Sequence, residues 1–463
     1  MSHAPGPKSG WELIRKGPFS RVFWAGFLSS TGDWAALFAQ ISLAENIAGS
    51  QGILVILAAR LIPGLLGGAI GGVLADRAFR KVAIVSADVG RGVLVLSLAF
   101  LDTLPAIFLV SFALELLTLL GQPARAAIIP GLVGRDNILT ANSLNLSAAY
   151  GTFPLGAGLA LVFGLLGPIT LFGLLPDTSE AILFAADSVT FLASGLLMLT
   201  VALPHVKVAD ERKAVSRFDW RAPLRDFTDG IKFVAKNSAV RPIILGMTVA
   251  LFGGGMLIVL GKAYAEDTLG ADSAGFFGLL FALGTGAAVG VVGLSVYGDR
   301  LLRRDVLFGV ALTVTGIGLV AASLISTIAG GMGWLTVMGL GAGSAYVTGF
   351  THLHEQTDDA LRGRTFAALF SLMRVGLLGS MVVATNAEGL LEGNVSDPTR
   401  MLLLGGGIIV VASGGALVWG KRGALGRPKL SPEGRESIDA AGRAFSRFRI
   451  GRQNGSNSEE DED

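Results

Sequence analysis

The chain has 463 residues, of which 51% are hydrophobic and 16% are charged, and its formal net charge is +2. Soluble domains carry about 25% charged residues, so this chain has too few charged residues to cover the surface of a soluble protein of its size. Together with a mean hydropathy of +0.62, it predicts a polytopic membrane protein and disfavours a soluble enzyme or a nucleic-acid binder. The sequence contains no cysteine, which excludes disulfides, cysteine zinc sites and iron–sulfur clusters.

Apolar runs of about 20 residues, the length that crosses a bilayer, recur along the whole chain. They predict twelve transmembrane helices and no cleaved signal peptide. In chain order the predicted spans are residues 20–46, 53–75, 82–103, 106–128, 139–166, 180–203, 241–262, 273–297, 306–328, 332–354, 365–387 and 400–420.

Basic residues are concentrated in loops on one side of the predicted spans, which the positive-inside rule assigns to the cytoplasm. Arg125 is assigned to these cytoplasmic loop residues, whereas Lys262 is assigned to a loop on the other side of the membrane. Both termini are therefore expected in the cytoplasm. The predicted organisation is a cytoplasmic segment 1–18, a six-helix bundle 19–203, a linker 204–240, a second bundle 241–420 and a tail 421–463.

The two bundles share a short sequence pattern in corresponding loops. Asp76-Arg77 is followed by Arg80 and Lys81 after the second span, and Asp299-Arg300 by Arg303 and Arg304 after the eighth. Parallel six-span repeats around a central cavity are a known transporter construction. The repeat therefore predicts two pseudo-symmetric bundles.

The tail has two parts of different character. Residues 436–452 combine apolar residues on one helical face with four arginines, which suits a helix on anionic lipid headgroups. Residues 454–463 are polar and acidic and are expected to be disordered.

Several motifs together resemble those of the major facilitator superfamily. They are the Gly-x-Leu-Ala-Asp-Arg-x-x-Arg-Lys stretch at 72–81, Thr31-Gly32-Asp33-Trp34, Ala87-Asp88-Val89-Gly90-Arg91, the run 123–130 with Ala141-Asn142, and Leu361-Arg362-Gly363-Arg364. The branch they resemble is that of macrolide-efflux and enterobactin-exporter-type proteins. The resemblance covers roughly residues 19–420.

That resemblance implies an all-α membrane protein with the major facilitator fold, working by alternating access in the inner membrane. It implies an antiporter of the multidrug-efflux kind that exports amphipathic small molecules and is driven by the proton gradient, without a bound cofactor, as a monomer. It also implies gating roles for the residues of the two repeated loops: Asp76, Arg77, Arg80, Lys81, Asp299, Arg300 and Arg303.

Ionisable residues inside the spans are functional candidates because an unpaired charge in hydrocarbon is costly. Asp33, Glu115 and Asp187 are the predicted proton-coupling residues. Asp88 and Arg91, three positions apart on one helix, are predicted to form a structural pair. Asp33 and Arg60, on two adjacent spans, are candidates for a second pair. Candidates for contact with the cargo are Asp33, Trp34, Arg60, Glu115, Tyr150, Phe252, Met256, Tyr346 and Arg374.

No metal site is expected, because His352 and His354 fall on different helix faces. No nucleophile–base pair appears in the spans, so an enzyme is not expected. Two alternatives stay open: a lipid or lysophospholipid translocator on the same fold, and a membrane scaffold or sensor that does not transport.

Overall fold

The structure is a computed structural model that describes residues 9–73, 80–167, 173–202, 240–297, 304–357 and 359–419, with scattered positions between 228 and 238. The predicted tail and most of the predicted linker lie outside the described residues. So do five of the predicted gating residues: Asp76, Arg77, Asp299, Arg300 and Arg303.

The described residues are almost entirely α-helical. The helices are α1 (Gly10–Arg15), α2 (Pro18–Val73), α3 (Arg80–Ser97), α4 (Leu104–Val133), α5 (Ile138–Tyr150), α6 (Phe153–Leu166), α7 (Ser179–Leu199), α8 (Arg241–Ala263), α9 (Ser273–Tyr297), α10 (Arg304–Ser323), α11 (Ile328–Glu355), α12 (Asp359–Leu391) and α13 (Pro398–Trp419). We call α1–α7 the first half and α8–α13 the second half.

Ten helical segments in the described part of the chain are long and apolar enough to span a membrane. The first of them contains two spans, because α2 breaks at Ala48 and Gly49. Gly49 has a φ of 59°, which a residue without a Cβ adopts readily. With the 28-residue helix α11, which is long enough to span a bilayer, the described residues contain twelve segments of membrane-spanning length, the number that the sequence predicts.

The fifth crossing is interrupted, although the sequence predicts one continuous span over 139–166. Helix α5 ends at Tyr150 and α6 begins at Phe153, with Pro154 in its first turn. A proline is tolerated in the first turn of a helix because its missing N–H would have no partner there. The two short helices together form the crossing.

Small residues bring the helices of the second half close together. A Cβ added to Gly339 or Gly343 of α11 would collide with backbone atoms of Leu283 or Ala287 in α9. Glycines at such contacts let helix backbones approach closely, which is how helices associate within a bilayer.

The apolar cores differ between the two ends of the helices. We name the two sides of the helical assembly after the first crossing in α2. The N-terminal side is the one where this crossing begins, at Pro18, and the opposite side is the one where it ends, at the Ala48–Gly49 break. On the opposite side one core joins both halves, with Phe38 and Phe184 beside Leu260 and Phe277. On the N-terminal side the described buried residues form separate cores within each half. The halves are therefore packed together on the opposite side.

Candidate functional site

Asp33 and Arg60 form an ion pair between the two crossings of α2. Arg60 Nη2 donates to Asp33 Oδ1 at 2.7 Å. The side chain of Asp33 keeps 36% of its surface exposed, although it lies in the middle of a long helix, whereas that of Arg60 keeps 13%. Asp33 is thus reachable by water or cargo while Arg60 is held against the protein.

Asp187 of α7 is a buried carboxyl group beside this pair. Only 1% of the residue is exposed, and Oδ1 accepts a hydrogen bond of 2.9 Å from Thr190. The other oxygen, Oδ2, has no hydrogen-bond partner among the described residues. The carboxyl packs directly against the backbone of Gly32, where any Cβ would collide with it. Glycine at position 32 therefore makes room for the acid next to Asp33.

Glu115 and Arg374 extend the cluster to a third and a fourth helix. Glu115 of α4 is within electrostatic range of Arg60, Asp33 and Arg374. Arg374 of α12 donates from Nη1 to the carbonyl oxygen of Gly64 at 2.6 Å. Because Gly64 belongs to the first half and Arg374 to the second, this contact joins the two halves at the depth of the acidic residues.

Asp88 lies at the centre of a second polar cluster. Its Oδ1 accepts from Arg91 at 2.5 Å and its Oδ2 from Arg125 at 2.6 Å. Ser194 of α7 also donates to Oδ2 at 2.7 Å. The predicted contact of Asp88 with Arg91 is present, and a second arginine from α4 joins it. The guanidinium of Arg91 also lies 4.3 Å from the ring centroid of Phe191.

The assignment of Arg125 to a loop was wrong. The residue lies inside α4, which extends to Val133, and only 8% of it is exposed. The residue also falls within the predicted span 106–128, and it is tolerated inside the helix because it is paired with Asp88 and does not need bulk water. The positive-inside argument counted a charge that is in fact internal.

The described gating candidates donate to backbone carbonyls on the N-terminal side, and Lys81 does so at the end of a helix. Lys81 donates to the carbonyl oxygens of Leu199 and Val201, at 2.6 and 2.9 Å, where α7 ends. Arg80 donates to the carbonyl of Ala127 at 3.1 Å. A cation at a helix C-terminus satisfies the unpaired carbonyls and complements the helix dipole. Their gating role stays a prediction.

An ion-pair cluster on the opposite side was missed by the sequence reasoning, which placed Lys262 in a loop. Lys262 is only 2% exposed, and its Nζ lies 3.2 Å from Glu45 Oε2 and 3.0 Å from Glu266 Oε1. It also donates to Asn46 Oδ1 at 2.7 Å. The sequence did contain a signal for this cluster, because Glu45 and Lys262 lie near corresponding ends of the first crossing of each half.

The apolar cargo candidates differ in their surroundings. The Trp34 ring packs on Phe153 and its Nε1 donates to the carbonyl of Ala149 at 3.2 Å. Met256 is buried against Gly406. Tyr346 is 40% exposed, and its ring packs at a tilt of 35° against that of Phe350. Two candidates remain: Phe252 is half-buried near Gly379, and the side chain of Tyr150 is outside the described residues.

Among the described residues, no group of three or more histidine, aspartate or glutamate side chains is arranged to hold a metal ion. His352 faces Glu355 at 3.9 Å, and Arg304 pairs with the same carboxylate. The polar chemistry of the described helices is thus that of paired charges and buried carboxyl groups.

Curated relatives resemble the chain over much of its length. The enterobactin exporter EntS of Citrobacter koseri is 27% identical over 446 residues, which cover 91% of this chain and 97% of the relative. EntS of Escherichia coli O1:K1 / APEC is 28% identical over 385 residues, covering 77% and 83%. The uncharacterised MFS-type transporter YkuC of Bacillus subtilis is 24% identical over 307 residues, covering 63% and 66%.

Solved structures show the same fold at low identity. The nucleoside transporter NupG aligns with a TM-score of 0.64 at 14% identity, over 87% of this chain and 99% of its own. A D-xylose-proton symporter aligns with a TM-score of 0.63 at 15% identity, over 86% and 96%. The profile described as Major Facilitator Superfamily matches residues 22–381, which is more than half of the chain. The chain belongs to the major facilitator superfamily and is a multi-pass membrane transporter.

Proposed function

We propose that this transporter exports an amphipathic small molecule from the cytoplasm and is driven by protons entering in exchange. It would act as an antiporter in the inner membrane, with both termini in the cytoplasm. Support for the direction comes from its likeness to enterobactin exporters.

The observation that carries the proton coupling is the carboxyl group of Asp187. It is buried, packed on Gly32, and keeps one oxygen without a hydrogen-bond partner among the described residues. A buried carboxyl group that lacks a partner is stabilised by binding a proton. Asp33 lies next to Gly32 in the chain and is partly exposed, so it offers a path between water and Asp187.

The charges of the cluster explain how a proton and the cargo could be exchanged. Three carboxyl groups, those of Asp33, Asp187 and Glu115, face the two guanidinium groups of Arg60 and Arg374. These five groups carry one more negative than positive charge when all are ionised, and Arg91 lies within electrostatic range of Glu115 and Asp187. A proton and a cargo group would compete for the same carboxylates. Binding of one would weaken binding of the other, which is the thermodynamic requirement of an antiporter.

The test is proton movement in vesicles that contain the purified protein, reported by an interior pH dye under an imposed gradient. A macrolide, a catechol siderophore and a lysophospholipid are added in turn. Asp187→Asn, Asp33→Asn and Glu115→Gln are compared with wild type. Asp102→Asn is the matched control, because Asp102 is exposed at a helix end.

We expect at least one cargo to start proton movement in wild type and in Asp102→Asn, and the Asp187→Asn variant to lose it. Cargo uptake without proton movement would overturn the antiport proposal. Movement of the lysophospholipid alone, without protons, would instead establish the lipid translocator. Absence of transport for every cargo, in protein shown to be folded, would favour the scaffold.

A further inference from the structure

The cluster around Lys262 is built across the boundary between the two halves. Lys262 ends the first crossing of the second half, whereas Glu45 and Asn46 end the first crossing of the first half. The ammonium group is almost fully buried and has three oxygen partners within 3.2 Å. A buried charge of this kind stays in place only while its partners do.

The partners of Lys262 divide unequally between the halves. Glu266 follows Lys262 by four positions on the same half, so this pair persists when the halves separate. Glu45 and Asn46 belong to the other half, and their contacts with Lys262 must break. Opening the opposite side would therefore leave Glu45 without its cation.

The surrounding groups are mainly acidic. On α2 they are Glu45 and Asn46; on the turn after α8 they are Glu266 and Asp267; and at the start of α9 Ser273 donates to Glu266 at 3.3 Å. Further along the same surface, Asp397 is bonded by Thr268 and paired with Arg400. The carboxylates of Glu45 and Glu266 thus contact the ammonium group of Lys262, and that of Asp267 lies within electrostatic range of Glu45.

Access and bonding differ between the two carboxylates that touch Lys262. The Glu266 side chain is 34% exposed, whereas that of Glu45 is 11% exposed. Glu45 Oε2 has no hydrogen-bond partner among the described residues, although it lies 3.2 Å from Nζ. A proton arriving through Glu266 can therefore be taken up at Glu45 Oε2, and this removes the negative charge that attracts Lys262 across the boundary.

We infer that Glu45, Lys262 and Glu266 form a proton-binding latch on the side opposite the termini, in which protonation of Glu45 releases Lys262 and lets the two halves part. The inference rests on the proposed proton-driven function, because it supplies the step at which an external proton opens the transporter. It assigns the first proton contact to residues outside the cluster of Asp33 and Asp187.

The absence of native cysteine makes the latch directly measurable. Spin labels at Asp102→Cys and Asn394→Cys report the distance between the halves on the opposite side, where both residues are exposed. A second pair, Ala126→Cys and Gln356→Cys, reports the N-terminal side. The distances between the spin labels are measured by double electron–electron resonance spectroscopy in lipid nanodiscs, without cargo, at neutral and mildly acidic pH.

In the unmutated latch we expect acid to raise the ratio of open to closed populations on the opposite side by about tenfold. Glu45→Gln, which mimics the protonated acid, should be shifted towards open at neutral pH and should respond little to acid. Lys262→Met should be open at both pH values. Asp397→Asn removes a nearby ion pair within one half, and it should behave like the unmutated latch.

Two results would overturn the latch: Glu45→Gln with the wild-type distances at neutral pH, or Glu45→Gln with the full wild-type response to acid. These outcomes are separable from those of the vesicle assay. Cargo-driven proton movement together with an unresponsive latch would reject this inference alone. A responsive latch in a protein that moves no protons with any cargo would reject the proposed function alone.

Discussion

Arg125 of α4 and Asp88 of α3 are joined by an ion pair of 2.6 Å in which both side chains are largely buried, with side-chain exposures of 10% and 0%. Arg91 takes the other oxygen of the same carboxylate, so one acid holds two guanidinium groups inside the first half. Ser194 of α7 completes the site, and three helices are thereby fixed to one another through a single side chain.

Replacement of Asp88 by asparagine should therefore destabilise the first half strongly. It leaves two buried cations without their counter-ion, a loss typically worth about 3 kcal/mol or more. Ser194→Ala removes two hydrogen bonds, the one that Ser194 donates to Asp88 and the one that it accepts from Arg125, and should cost about 2 kcal/mol. Thermal unfolding of the purified variants in detergent, followed by tryptophan fluorescence, measures both, with the exposed Asp102→Asn as control. Equal unfolding temperatures for Asp88→Asn and Asp102→Asn would contradict the central position of this acid.

Gly32 should be as important to coupling as the acid that it faces. In Gly32→Ala the new methyl group collides with Asp187 Oδ1 and Thr190 Oγ1, so the carboxyl group must move. We expect cargo-driven proton movement in vesicles to fall about tenfold or more, because a displacement of about 1 Å at a reacting group is enough for such losses. Gly254→Ala, whose nearest neighbour would be the flexible end of Met338 at 3.4 Å, is the control and should keep wild-type rates.

The contact between α9 and α11 depends on glycines at specific positions. Gly339→Val forces the two backbones apart, and overpacking of this kind costs about 1–3 kcal/mol or more. Gly333→Val is the matched control on the same helix, because a Cβ there meets nothing within 4 Å. The unfolding temperature should fall for Gly339→Val alone. A similar fall for both variants would show that helix propensity, rather than helix contact, is responsible.

Closure of the opposite side can be trapped covalently. Thr385 Oγ1 of α12 lies 3.5 Å from the carbonyl oxygen of Ser50 at the start of the second crossing. Ser50→Cys with Thr385→Cys should form a disulfide on oxidation, since the residues are neighbours across the boundary. Cross-linked protein should lose transport, and a reducing agent should restore it. Each single cysteine variant is the control. Full transport by fully cross-linked protein would rule out opening at this boundary.

The sequence alone predicted the membrane class, the twelve crossings and the family resemblance. Those features depend on local properties: the length of apolar runs, the side on which basic loops lie, and motifs of adjacent residues. It also suggested the pairings of Asp33 with Arg60 and Asp88 with Arg91, which are close in sequence or on neighbouring crossings. The contacts of both pairs are present in the structure.

Distant partners could not be predicted in this way. Arg125 was assigned to a loop because its counter-ion, Asp88, is on another helix. Lys262 was assigned to a loop for the same reason, since Glu45 and Asn46 are more than 200 positions earlier in the chain. The break between α5 and α6 was missed as well, because hydropathy does not distinguish one helix from two.

The sequence by itself determined which segments enter the bilayer, because each segment's transfer into hydrocarbon depends mainly on its own side chains. Only the tertiary structure decided which charges are paired there and which acid, such as Asp187, keeps an oxygen without a hydrogen-bond partner in the part of the chain that the structure describes. The physical reason is that a buried charge is stabilised by partners within a few ångströms in space. Helix packing, through contacts such as Gly32 against Asp187, sets those distances.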